Sequence, residues 1–236
     1  MLSSPRPTIL MFSGGRDSTL AAVRLASVST PLYLATVTSA HLIGLGAVRK
    51  RLLELEPLLP STTRWLHVIQ PTSLPGAGEL MARTCLPCHR AYTAIGVALA
   101  KRFHAPCLAF GYARYQSAWP EQTPLAIERL GLVLFARGIQ LTLPVYNLAS
   151  KAEASEQLRR LNLSPAALEQ KCLQQVSNIA LEGPRLEKEI AVWELALRNT
   201  LAALETIVLD IVVDAPLSEL AVAWQSPTQP SLRGLT

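Results

Sequence analysis

Residues 8–18 read Thr8-Ile9-Leu10-Met11-Phe12-Ser13-Gly14-Gly15-Arg16-Asp17-Ser18. A short apolar run ends in a pair of glycines. The segment that follows, 17–28, carries Leu20, Val23, Leu25 and Ala26 at helical spacing. The pattern is strand, tight turn, helix. Two glycines let the backbone turn sharply and come close to a ligand. Backbone N–H groups at the helix start, with the hydroxyls of Ser13 and Ser18, would hold an anion. Asp17 is an odd neighbour for an anion. It makes sense if it helps to hold Mg²⁺ there, or caps the helix. The string lacks the G-x-x-x-x-G-K-S/T spacing of a Walker loop.

The same alternation continues outward from this turn. Strand-like runs at 32–37, 65–69, 107–110 and 139–143 are separated by helical patterns at 46–55, 87–103, 123–137 and 151–161. The segment 71–78, with two prolines and two glycines, reads as loop. Alternating strands and helices predict an α/β fold, a doubly wound and mostly parallel sheet with helices on both faces. In such folds the ligand lies beyond the carboxyl ends of the strands. The last third differs. Residues 184–207 read as one long helix, with Leu186, Ile190, Trp193, Leu197, Leu201 and Leu204 at three- and four-residue steps. That stripe suits packing or a homodimer seam. An apolar run at 207–213 is a candidate strand, and 226–236, rich in Pro, Ser and Gln, reads as a loose tail. The expected division is a nucleotide-binding domain over 1–175, a helical extension over 176–225 and a flexible tail over 226–236.

Composition bounds the function classes. In 236 residues, half are hydrophobic and only 17% are charged, which excludes disorder for most of the chain. No stretch of about 18 apolar residues runs without a charge or a proline, so a membrane span is not expected. The first residues lack a signal-peptide pattern, and four cysteines do not make a secreted disulfide framework. These features point to a cytoplasmic protein. The net charge of +5 permits an anionic partner such as a nucleotide or tRNA without demanding one.

The string from Ser13 to Ser18 resembles the Ser-Gly-Gly-x-Asp-Ser signature of the PP-loop ATP pyrophosphatase superfamily, a HUP-type (adenine nucleotide alpha hydrolase-like) fold. The resemblance implies an enzyme that cleaves ATP between the α and β phosphates, adenylylates a carbonyl or carboxyl oxygen, and lets a nucleophile displace AMP. On that basis Ser13, Gly14, Gly15, Arg16, Asp17 and Ser18 would bind the phosphates and Mg²⁺, with Asp17 and Ser18 closest to the chemistry. Thr38, Gly111, Arg114 and Lys151, near strand ends or a helix start, are further candidates for the nucleotide.

Cys85-Leu86-Pro87-Cys88 is a C-x-x-C ahead of a helix, and Cys172 follows 84 residues after Cys88. A helix start favours thiolate, the form that binds metal. The order of phosphate loop, C-x-x-C and distant third Cys is similar to that of the iron–sulfur tRNA 2-thiolation enzymes of this superfamily. By that resemblance Cys85, Cys88 and Cys172 would hold a 4Fe–4S cluster with one open iron. Zinc is the alternative and would want a fourth ligand, for which His89 is a candidate. Without metal, Cys85 or Cys88 would carry a persulfide or form a disulfide in turnover. Cys107 lies inside an apolar strand and reads as a core thiol.

A second branch, 7-cyano-7-deazaguanine synthase, is resembled by Gly111 through Glu121, with Trp119-Pro120-Glu121, and by the run from Pro144-Val145 through Ser150-Lys151-Ala152-Glu153 to Glu169-Gln170-Lys171-Cys172. Its four-cysteine zinc site is absent, because no cysteine follows Cys172. The implied partners are ATP, a tRNA or nucleobase substrate, and a sulfur or nitrogen donor. A non-catalytic nucleotide-binding subunit is the alternative outside enzymology. Of the other residues, His41 suits either a solvated loop or a ligand contact, and Arg49-Lys50-Arg51 reads as a solvated basic face or an RNA patch.

Overall fold

The structure, a computed structural model, describes residues 6–74, 84–174 and 179–225. Residues 75–78 of the expected loop, and the expected tail at 226–236, lie outside the described residues. The elements run β1 (Thr8–Met11), α1 (Arg16–Ala26), β2 (Leu32–Thr38), β3 (Leu42–Ile43), α2 (Leu45–Leu55), β4 (Arg64–Ile69), α3 (Leu86–Arg102), β5 (Cys107–Phe110), α4 (Pro124–Phe135), β6 (Gln140–Thr142), α5 (Lys151–Arg160), β7 (Lys171–Cys172), α6 (Gly183–Ala202), β8 (Asp210–Pro216) and α7 (Leu217–Gln225).

Six strands form one sheet in the order β6-β5-β1-β2-β4-β8. The first five are parallel to their neighbours, and β8 pairs antiparallel with β4. β1 is central, which is why its apolar run has no polar alternation: Ile9 and Leu10 face opposite sides and both are fully buried. Ile9, Ala35, Val37, Leu66 and Leu108 pack under α3, α4 and α6 on one face. Leu10, Phe12, Leu34 and Trp65 pack under α1, α2, α5 and α7 on the other. The sheet is therefore covered on both faces, as the alternation of elements predicts. Among the described residues no helix is long and apolar enough to cross a membrane.

Local signals explain the helix starts. Thr123 accepts a hydrogen bond from Ala126 N at 3.2 Å, with Pro124 in the first turn of α4. Ser150 accepts from Glu153 N at 3.0 Å, while the Glu153 carboxylate reaches back to Ala149 N at 2.9 Å.

Two features depart from the expected layout. The strand expected at 207–213 starts later, at Asp210, and alternates between exposed and partly buried residues because it is an antiparallel edge. The two-residue strands β3 and β7, which pair Leu42 with Cys172 and Ile43 with Lys171, were not anticipated. The stripe on α6 packs inward: Ile190, Trp193, Leu197 and Leu201 are buried in the chain's own core. A homodimer built on α6 would have to use the helix's other face.

Candidate functional site

β1 leads to α1 on one face of the sheet and β5 leads to α4 on the other. The carboxyl ends of these neighbouring strands therefore form the topological switch point, where open α/β sheets bind ligands. A cavity of about 320 Å³ opens there. Ser13, Gly15, Asp17 and Ser18 line it from the β1 side, and Gly111, Gln116 and Trp119 from the β5 side.

The turn between β1 and α1 is tightly organised. Gly14 has φ +82°, the left-handed region, and a Cβ there would come within 2.6 Å of the Leu168 carbonyl oxygen. Ser13 Oγ accepts from Gly15 N at 3.2 Å and lies 3.1 Å from Ser18 Oγ. Ser18 Oγ and Thr19 Oγ1 donate to the Gly15 carbonyl at 3.2 and 2.6 Å. Gly111 is required for a different reason: a Cβ there would lie 2.6 Å from Ser18 N and 2.7 Å from Ser18 Cα. The end of β5 thus rests directly on the start of α1.

Asp17 is the acid of this turn and is 9% exposed. Burial pushes its carboxyl above the usual range, more strongly than the Tyr115 hydrogen bond and Arg16 pull it down. The Tyr115 hydroxyl lies 2.7 and 2.9 Å from its two oxygens. Glu169 lines the same cavity, and its carboxylate lies against the face of Gly15. Its pKa is raised by burial first, then lowered by Arg16 and raised by Asp17.

Glu169 belongs to a strap, residues 164–170, that lies over the glycine turn. Arg51 is the anchor. It is fully buried, and its guanidinium donates to Glu54 Oε2 at 2.6 Å, Ser164 O at 2.9 Å and Ala166 O at 2.6 Å. Arg16 reaches Pro165 O at 3.4 Å, and Gln170 Nε2 donates to Val37 O at 2.9 Å. This corrects the reading of Arg49-Lys50-Arg51 as a basic surface: Lys50 is exposed, but Arg51 points inward, and Arg49 lies 5.8 Å over the Trp224 ring.

Of the nucleotide candidates, Ser13, Gly15, Asp17, Ser18 and Gly111 converge on the cavity, with Gly14 and Arg16 in the same turn. Thr38, Arg114 and Lys151 are not among the described residues that line it. Thr38 Oγ1 instead bonds His67 Nε2 at 2.9 Å, and Arg114 and Lys151 are exposed. Lys151 nevertheless acts on Glu169 through its charge. Glu169 and Gln170 stand in the run that resembles the deazaguanine synthase branch, but sequence reasoning did not assign them to the site, because nothing local shows that this segment returns as a strap over the turn.

The cysteines share one neighbourhood. Cys85 precedes α3, Cys88 lies in its first turn, and Cys172 sits on β7 opposite Leu42. All three thiols act on Tyr92, whose pKa is raised by burial first and then by Cys88, Cys85 and Cys172. His41 is 3% exposed, so it is not a solvated loop residue. Its Nδ1 meets Ser39 Oγ at 3.0 Å and its Nε2 lies 3.7 Å from Cys88 Sγ. The His89 ring nitrogens have other partners: Nδ1 bonds the Tyr112 hydroxyl at 2.7 Å and Nε2 faces Glu121 at 3.6 Å. None of the four cysteines is in a disulfide. Among the described residues, no three His, Cys, Asp or Glu side chains are gathered as a ready metal site. Cys107 is half-buried at the start of β5, not a core thiol.

No family model matches the chain, and no curated protein matches it. Solved structures do. A 4-thiouridine synthetase–RNA complex with bound ATP has a TM-score of 0.51 at 14% identity, over 88% of this chain and 55% of that one. The U34-tRNA thiolase NcsA from Methanococcus maripaludis, solved with its [4Fe-4S] cluster, gives 0.49 at 15% identity, over 90% of this chain and 77% of that one. NMN synthetase from Francisella tularensis gives 0.49 at 12% identity, over 84% and 87%. At these identities the likeness concerns the fold. In that fold, and in the turn at residues 13–18, the chain resembles the PP-loop ATP pyrophosphatase superfamily.

Proposed function

We propose that the chain is a cytoplasmic ATP-dependent adenylylating enzyme acting on a tRNA or a nucleobase. ATP would bind with its phosphates on the glycine turn. The acceptor's carbonyl or carboxyl oxygen attacks the α phosphorus, pyrophosphate leaves, and a sulfur or nitrogen nucleophile then displaces AMP. The observation that carries this reading is the position of the turn. Its hydroxyls and Asp17 face a cavity at the switch point between β1 and β5. The helix start supplies N–H groups and a favourable dipole for a departing polyanion.

Mg²⁺ fits the donors present. Asp17 and Glu169 are hard oxygen ligands on the cavity wall, and the ion would neutralise charge on the leaving pyrophosphate. Asp17 would hold it, while Ser13 and Ser18 orient the phosphates. Cys85, Cys88 and Cys172 fit a 4Fe–4S cluster in donor type and neighbourhood, though they are not closed up as ligands. Held by these three thiolates, such a group would supply an iron with an open coordination position for a sulfur donor. Zinc is the alternative. The nitrogen-transfer reading, similar to 7-cyano-7-deazaguanine synthase, draws support from Gln116 and Trp119 on the cavity wall.

The test is direct. Full-length protein purified without oxygen is analysed for iron, zinc and absorption, then incubated with ATP, Mg²⁺ and bulk tRNA or free nucleobases. Mg²⁺-dependent pyrophosphate release is expected, and Asp17→Ala should lower it by about 100-fold, the scale of one lost electrostatic catalytic group. Nucleotide binding without pyrophosphate release would favour the non-catalytic subunit. Absence of any nucleotide binding by calorimetry would remove the proposal.

A further inference from the structure

We infer that Tyr115 is the positioning residue for Asp17, holding the carboxylate on the glycine turn so that its remaining lone pairs face the cavity. The inference rests on Asp17 being the residue that holds Mg²⁺ in the proposed reaction.

The placement follows from the fold. Because Gly111 lets β5 end directly against Ser18, the short 3₁₀ turn Arg114–Gln116 stands across from the first turn of α1. Tyr115 therefore reaches Asp17 from 98 residues away in the chain. Its ring is partly buried against the core on the α1 face, which fixes the direction of the hydroxyl.

A tyrosine hydroxyl has one proton to donate. Its oxygen lies within 2.9 Å of both Asp17 oxygens, so that proton is shared across the carboxylate and sets its plane. One face of the group is thereby occupied. The remaining acceptor sites are left for a cation or a donor in the cavity. The bond also favours the ionised form of an acid that burial pushes toward neutrality. Tyr115 itself stays a donor, since burial and the neighbouring carboxylate raise its own pKa. Tyr115 is not assigned contact with substrate. It acts through Asp17.

The experiment uses the full chain, a non-hydrolysable ATP analogue and Mn²⁺ as a paramagnetic stand-in for Mg²⁺. Tyr115→Phe keeps the ring and removes the hydroxyl. It should weaken Mn²⁺ binding to the analogue complex by about tenfold, the scale of one hydrogen bond to a charged group. Affinity for the metal-free analogue should stay within about twofold, a split that general loosening of the fold would not give. Mn²⁺ affinity within about twofold of wild type would overturn the inference. Asp17→Asn is run beside it: if that variant also leaves Mn²⁺ affinity unchanged, the assignment of Asp17 falls and the inference with it. If only Asp17→Asn weakens the metal, Tyr115 alone is wrong. In the double variant the Tyr115→Phe effect should vanish; a full additive loss would show that Tyr115 acts elsewhere.

Discussion

Arg51→Met replaces a buried charged anchor with an apolar side chain of similar length. In the wild type the guanidinium satisfies two strap carbonyls, Ser164 O and Ala166 O, and pairs with Glu54 at 2.6 Å. Removing one partner of a buried ion pair costs about 3–5 kcal/mol, because the other partner is left uncompensated. Glu54 keeps 22% of its side chain exposed and can be partly rehydrated, so the lower end applies, about 3 kcal/mol. For a chain of this size that corresponds to a fall in Tm of about 6–12 °C. The assay is urea unfolding followed by far-ultraviolet circular dichroism, with thermal melting in parallel. Lys50→Ala, one residue away but exposed, is the control and should change stability by less than about 0.5 kcal/mol. Arg51→Lys should recover only part of the loss, since an ammonium cannot fork to two carbonyls and a carboxylate. If Arg51→Met lost less than about 1 kcal/mol, the strap would not be anchored as described.

Three more outcomes are expected. Gly111→Ala places a methyl 2.6 Å from Ser18 N, so it should cost about 1–3 kcal/mol and weaken ATP binding by more than about tenfold; calorimetry showing unaltered ATP affinity would contradict the close approach. Burial makes Asp17 easier to protonate in the folded state than in the unfolded one, so the folded state holds more protons from about pH 4 upward and stability falls as pH rises through that window. Asp17→Asn should flatten this decline and be the more stable protein at neutral pH, and parallel stability curves for the two proteins would refute the account. Glu169→Gln removes a negative charge lying against Gly15, so metal-free ATP should bind about threefold tighter; weaker binding would make Glu169 a helper of the nucleotide instead of a competitor.

Much of the sheet was legible because its signals are local. The apolar run before Ser13, the glycine pair after it and the helix starts at Thr123 and Ser150 each lie within a few residues of one another. The glycine turn between β1 and α1 was legible for the same reason. What escaped was everything built across the chain. Arg51 sits in a run of three basic residues that looks solvated, and only the return of residues 164–170 makes it a buried anchor. Tyr115 follows β5 at the edge where a ligand is expected, but no spacing rule announces that it meets Asp17, or that Glu169 meets Gly15, across the switch point. The partners of neighbouring residues also escaped, because helical rotation between adjacent positions sends Cys88 toward His41 and His89 toward Tyr112.

The antiparallel strand β8 covers the outer edge of β4, and it is supplied by residues 210–216. During synthesis, β4 leaves the ribosome nearly 150 residues ahead of its partner. Through that interval the backbone groups of Arg64–Ile69 on that side have no strand to bond, and an open edge invites another nascent chain. Translation speed over the later half, or a chaperone that shields the edge, would then govern how much of the newly made protein escapes aggregation.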